Sequence, residues 1–254
     1  MMSKDAFVDI DGRKIRYKEL NKGASRPLVM FNGTALNYET WKPLSSRLDR
    51  HMIMIDLPGC GGSDIYKSPP SMDKYVSDMM VAVYTIHNDP IATYDVMGYS
   101  FGGVLAQAFT QKYPTFVNRL VLLSTTPGLS GQIPSYKALM MSMTFGKALW
   151  ARIVGRKSDD GDVVKNFRSP NALGPLYSTG ALILWSKGGR VVNDNHEALI
   201  IHGEDDHLLP VNNGYVLGDS FPSGESYMIP GADHLAPLVH AEECATIINN
   251  FLEE

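Results

Sequence analysis

The sequence predicts an α/β fold with a mostly parallel sheet, and three observations carry that expectation. The first is a set of short runs that are apolar throughout: Leu28–Phe31, Met52–Ile55, 120–123 and 198–201. Strands buried on both faces of a parallel sheet read this way. The second is the stretch 94–109. There an apolar run, Tyr94-Asp95-Val96-Met97, enters Gly98-Tyr99-Ser100-Phe101-Gly102 and leaves through the helix-like Val104-Leu105-Ala106-Gln107-Ala108-Phe109. That is strand, tight turn, helix, with a serine at the apex. The third is that two later strands end in loops bearing a carboxylate or a histidine, and open parallel sheets gather their sites at the carboxyl ends of strands.

The elements follow in order. Residues 7–10 and 14–17 read as a hairpin turning at Asp11-Gly12. The strand Leu28–Phe31 comes next. Residues 41–48 predict a helix with Trp41, Leu44 and Leu48 on one face. Met52–Ile55 is a strand leading into the glycine-rich loop Gly59-Cys60-Gly61-Gly62-Ser63. Residues 73–87 are helical, with Ser71 or Asp73 as the cap. After the strand at 120–123 the pattern breaks repeatedly at glycine and proline. Residues 126–195 read as an inserted helical cap between two halves of one core, 1–125 and 196–254. Helical pieces are expected at 136–145 and 181–187. Met140, Met141 and Met143 suggest an adaptable apolar surface or packing inside the cap, and 157–162 reads as a polar loop. Residues 198–203 and 226–229 are the last strands, and a helix carrying Cys244 closes the chain.

The chemistry centres on Ser100. Glycines at 98, 102 and 103 remove side chains where a sharp turn brings strand and helix together. The serine oxygen then stands at a helix N-terminus, which favours a developing anion. A serine hydroxyl is a weak nucleophile and needs a base. The order expected after such a turn is serine, acid, histidine. Gly203-Glu204-Asp205-Asp206-His207 supplies the acid, Asp206 being favoured over its neighbour Asp205. Gly231-Ala232-Asp233-His234 supplies the histidine, since only His234 follows a strand at the right place in the order. His51, His87 and His196 read as packed or surface residues, while His202 and His207 flank the acid loop and His240 opens the last helix. Oxyanion donors are expected from the backbone amides of Phe101, after the serine, and Thr34, in the loop after Leu28–Phe31.

With these blocks in hand, the chain resembles the α/β-hydrolase superfamily over essentially its whole length. The blocks are Phe31-Asn32-Gly33-Thr34, Asp56-Leu57-Pro58-Gly59-Cys60-Gly61-Gly62-Ser63, Gly98-Tyr99-Ser100-Phe101-Gly102-Gly103, Gly203-Glu204-Asp205-Asp206 and Gly231-Ala232-Asp233-His234, in the family's order. The resemblance implies an eight-stranded sheet with helices on both faces, a helical cap insertion and a serine hydrolase mechanism. The N-terminal half is most similar to intracellular polyhydroxyalkanoate depolymerases, through Phe31-Asn32-Gly33, Gly59-Cys60-Gly61-Gly62-Ser63 and the stretch 106–123. Residues 206–251 also fit, whereas the middle region does not match. The activity implied is hydrolysis of carboxylic esters. Relatives of the fold also cleave thioesters, lactones or carbon–carbon bonds with the same residues, and a ligand receptor on this scaffold is the non-enzymatic alternative.

Composition bounds the partners. The chain has 254 residues, 44% hydrophobic and 20% charged, with a net charge of −4. That suits one globular domain with a large core and gives no basic surface for nucleic acid. Neither a signal peptide nor a membrane-spanning segment is expected. Two cysteines, Cys60 and Cys244, are expected as free thiols in a cytoplasmic setting. No cofactor or metal site is expected. The glycine-rich loop lacks the lysine of a phosphate-binding loop, and a small-molecule acyl ester is the expected partner.

Overall fold

The computed structural model describes residues 5–23, 26–89, 91–128, 173–188 and 196–253. Its elements are β1 (Ala6–Ile10), β2 (Arg13–Leu20), β3 (Leu28–Phe31), α1 (Lys42–Ser45), β4 (Met52–Ile55), α2 (Met72–His87), β5 (Tyr94–Tyr99) and α3 (Phe101–Lys112). They continue with β6 (Val117–Leu123), α4 (Leu173–Gly188), β7 (Glu197–Gly203), α5 (Asn212–Ser220), β8 (Gly224–Ile229), α6 (Ala236–Val239) and α7 (Ala241–Glu253). The strands form one eight-stranded sheet in the order β1-β2-β4-β3-β5-β6-β7-β8. β1, β2 and β4 pair antiparallel, and from β4 to β8 every neighbour is parallel. The hairpin turns at Asp11-Gly12, both with positive φ, as a two-residue turn of this hand requires.

Side chains alternate across a strand, so each fully apolar strand feeds two cores. Val29, Phe31, Ile53, Ile55, Val96, Leu120, Leu122 and Ile200 face α2 and α3, and pack with Tyr75, Met79, Leu105 and Phe109. Leu28, Met30, Met52, Met54, Met97, Val121, Leu123, Leu199 and Ile201 face the other way, against Trp41, Leu44, Ile248 and Phe251. Burial on both faces explains why these strands carry no polar alternation.

Two local expectations are refined. Ser71 caps α2, its hydroxyl accepting from the Lys74 amide at 3.1 Å. The helix expected over 41–48 is shorter: a 3-10 turn at Tyr38–Trp41 runs into the single turn of α1. The cause is local. The Pro43 carbonyl, which a continuing helix needs for the Arg47 amide, is taken by the Ser46 hydroxyl and the Arg47 guanidinium. The Arg47 amide turns to Leu44 instead. Trp41, Leu44 and Leu48 are still all buried. The proposed insertion 126–195 lies mostly outside the described residues, as do the helical piece at 136–145, the three methionines and the polar loop at 157–162. The helical piece expected at 181–187 falls within α4.

Candidate active site

The site is built at the carboxyl end of the sheet from the ends of β3, β5, β7 and β8. At the end of β5 the backbone must reverse within one residue. Ser100 does this with φ 54° and ψ −121°, a conformation L-residues rarely adopt. The turn closes only because its flanks lack side chains. A Cβ at Gly98 would run into the Gly102 carbonyl, and one at Gly102 into the carbonyl of Phe31 on β3. Both obstacles are backbone, so they cannot swing aside. Gly98→Ala is therefore expected to cost about 3 kcal/mol, measured by denaturant unfolding against wild type.

The structure brings Ser100, His234 and Asp206 together across 134 and 28 residues of chain. His234 Nε2 lies 3.1 Å from Ser100 Oγ, and His234 Nδ1 lies 2.7 Å from Asp206 Oδ2. His234 and Asp206 are buried, while Ser100 is half-buried at the helix start. Asp205, the alternative acid, is exposed. Burial alone pushes the Asp206 carboxyl up. The neighbouring imidazoles, His234 first and then His202, outweigh it and hold the group well below the usual carboxylate range. Asp206 is an ionised acceptor beside the imidazole.

Both expected oxyanion residues border the serine. Phe101 opens α3, so its amide is one of the helix-end donors with no acceptor inside the helix. Thr34 follows Gly33, where a Cβ would sit 3.2 Å from the Ser100 Cβ. The Thr34 hydroxyl is 3.2 Å from the Ser178 hydroxyl of α4. Ser178 donates to the Pro175 carbonyl, so in this pair it accepts from Thr34. One turn earlier α4 meets the glycine-rich loop backbone to backbone: a Cβ at Gly59 would lie 2.8 Å from the Gly174 Cα. The helix is thereby seated on the loops beside Ser100.

Sequence reasoning missed several supports. The Tyr99 hydroxyl donates to the His234 carbonyl at 3.0 Å, and its ring lies 5.3 Å from the imidazole. The Thr125 hydroxyl donates to the Ser100 carbonyl at 2.6 Å. His202, the last side chain of β7 before Gly203, reaches Asp206 at 3.2 Å. The only signal for these in the chain is position, each lying at the end of a strand or just beyond it. Cys60 offers no rival nucleophile, because burial pushes its thiol up to about 12. Among the described residues, no group of three His, Cys, Asp or Glu side chains could hold a metal ion. Among them too, no helix is long and apolar enough to cross a membrane.

Residues 28–247, from β3 into α7, match the Alpha/beta hydrolase family. The chain belongs to this family. Among its alpha/beta hydrolase relatives is a poly(3-hydroxyalkanoate) depolymerase of Ectopseudomonas oleovorans, 27% identical over 97% of this chain and 92% of that protein. Another is a 2-hydroxymuconate semialdehyde hydrolase of Pseudomonas sp. (strain CF600), 25% identical over 94% of this chain and 91% of that one. The fold is also that of the enol-lactonase from Burkholderia xenovorans LB400. The TM-score is 0.84 at 16% identity, covering 98% of this chain and all of that one.

Proposed function

We propose that this alpha/beta hydrolase cleaves carboxylic esters through an acyl-enzyme at Ser100. The observation that supports it most is the position of His234, with one nitrogen at the serine oxygen and the other at Asp206. Ser100 Oγ bonds to the acyl carbon while its proton passes to His234 Nε2. The carbonyl oxygen takes up the electron pair and is met by the amides of Thr34 and Phe101. Collapse expels the alcohol, which carries the proton away from His234. Water, deprotonated by His234, then releases the acid and restores the serine. Asp206 holds the imidazole tautomer and stabilises its charged form.

Of the cap proposed for 126–195, α4 is seated on the Thr34 and Gly59 loops beside Ser100. The substrate in this reading is a small acyl ester. The two buried free thiols support a cytoplasmic setting. A polyester chain end is the second reading, supported by the similarity to the depolymerase.

The test is hydrolysis of p-nitrophenyl esters from acetate to long acyl chains, run beside Ser100→Ala. Turnover that disappears in the variant is expected, and turnover that survives there overturns the reading. Thioesters of matched chain length and release of monomer from poly(3-hydroxyalkanoate) divide the substrate classes. A folded wild type that turns over none of these removes ester hydrolysis in favour of another bond or a binding role.

A further inference from the structure

We propose that His202 is a positioning residue for the acid of the site, holding the Leu209 carbonyl and with it the loop whose amides grip Asp206. The inference rests on the proposed roles of Ser100, His234 and Asp206, and adds a fourth residue to them.

His202 Nε2 is 2.7 Å from the Leu209 carbonyl. A carbonyl only accepts, so this nitrogen carries the hydrogen. The same nitrogen stands 3.2 Å from Asp206 Oδ2. The other ring nitrogen, Nδ1, is buried with no hydrogen-bond partner among the described residues. His202 is completely buried, with its Nε2 hydrogen committed to the Leu209 carbonyl.

His202 thereby fixes the loop that surrounds the carboxylate. A carboxylate offers about four acceptor sites. Asp206 Oδ1 accepts from the amides of Leu208 at 2.9 Å and Leu209 at 2.7 Å. Asp206 Oδ2 faces His234 and His202. Leu209 is held twice, by its amide to Asp206 and by its carbonyl to His202, so the acid loop closes on itself. The carboxylate has no direction left in which to turn. The other groups around this centre leave that balance to His202. Glu204, Asp205 and His207 on the loop, Asp219 on α5 and Glu225 on β8 are exposed. Asp233 accepts from the Leu235 amide and Tyr99 donates to the His234 carbonyl. Gly214 of α5 and Met228 of β8 pack around His202 without charge.

Without His202 the Leu209 carbonyl is released, the loop amides loosen on Oδ1, and the charge of the carboxylate falls more fully on His234 and favours its protonated form. His202→Leu is expected to lower kcat about 10- to 100-fold with KM unchanged. The acid limb of kcat/KM should move up by about one pH unit. His202→Gln keeps an N–H near the Nε2 position and is expected to return the limb to its wild-type place. The far-downfield proton resonance of His234 Nδ1–H should shift in the leucine variant and revert in the glutamine variant. A limb and a resonance unmoved in folded His202→Leu overturn the proposal. So does a folded His202→Gln that moves both, even if His202→Leu does not fold. Loss of ester turnover in the wild type would instead strike the reading of Ser100, and the resonance would still report on His202.

Discussion

Ser100→Ala is expected to lower kcat on any ester the protein hydrolyses by about 10⁵- to 10⁶-fold, with the fold intact. The variant removes one oxygen, the atom that bonds to the acyl carbon in the proposed mechanism. It leaves the serine backbone, which donates to the Leu123 carbonyl and accepts from Gly103 and Thr125. The remaining turnover would come from binding and the oxyanion donors alone. A companion variant separates chemistry from strain. Ser100 sits at φ 54°, where a Cβ is disfavoured, so Ser100→Gly should be as inactive as Ser100→Ala but more stable by about 1 kcal/mol. Both contrasts are read by ester turnover, by mass spectrometry of the acyl-enzyme and by chemical unfolding. An acyl adduct on Ser100→Ala, or a glycine variant no more stable than the alanine one, contradicts the argument.

Much of this arrangement was legible in the chain because its causes are local. The parallel strands are apolar throughout since both faces are covered, and that is a property of each strand alone. The Ser100 turn announces itself because two backbone collisions leave glycine at 98 and 102. Asp206 could be preferred to Asp205 but not separated from it, because adjacent residues differ only in the direction they face. In the fold Asp206 turns inward to His234 and Asp205 outward to solvent. The helix at Lys42–Ser45 is shorter than the 41–48 that its apolar face suggests, because that face is real while the helix end is set by side chains competing for one carbonyl. Tyr99, Thr125 and His202 stayed invisible for a different reason. Tyr99 and Thr125 act on residues brought close by the order of the sheet, Tyr99 on a partner 135 residues away, while His202 acts on the loop that follows it, where the sequence does not say which way the ring turns. The placement of β4 outside β3 is equally silent in the sequence, since it depends on a crossover rather than on either strand.

Asp206→Asn is expected to lower kcat about 10⁴-fold, and the geometry says why so small a change has so large an effect. The side chain of asparagine has one accepting end and one donating end. Oδ1 of Asp206 receives two backbone amides, those of Leu208 and Leu209. An asparagine must keep its oxygen there, since the opposite orientation sets its amine against two buried N–H groups at about 1–3 kcal/mol each. The amine is then committed to the side of His234, where Nδ1 must accept rather than donate. The imidazole hydrogen moves to Nε2, facing Ser100, and the ring can no longer take the serine proton. Activity should fall with little change in KM, measured by ester kinetics. Asp205→Asn, altering an exposed carboxylate one residue away, should leave kcat near wild type. Equal losses in the two variants would mean that the loop, and not the buried carboxylate, sets the state of His234.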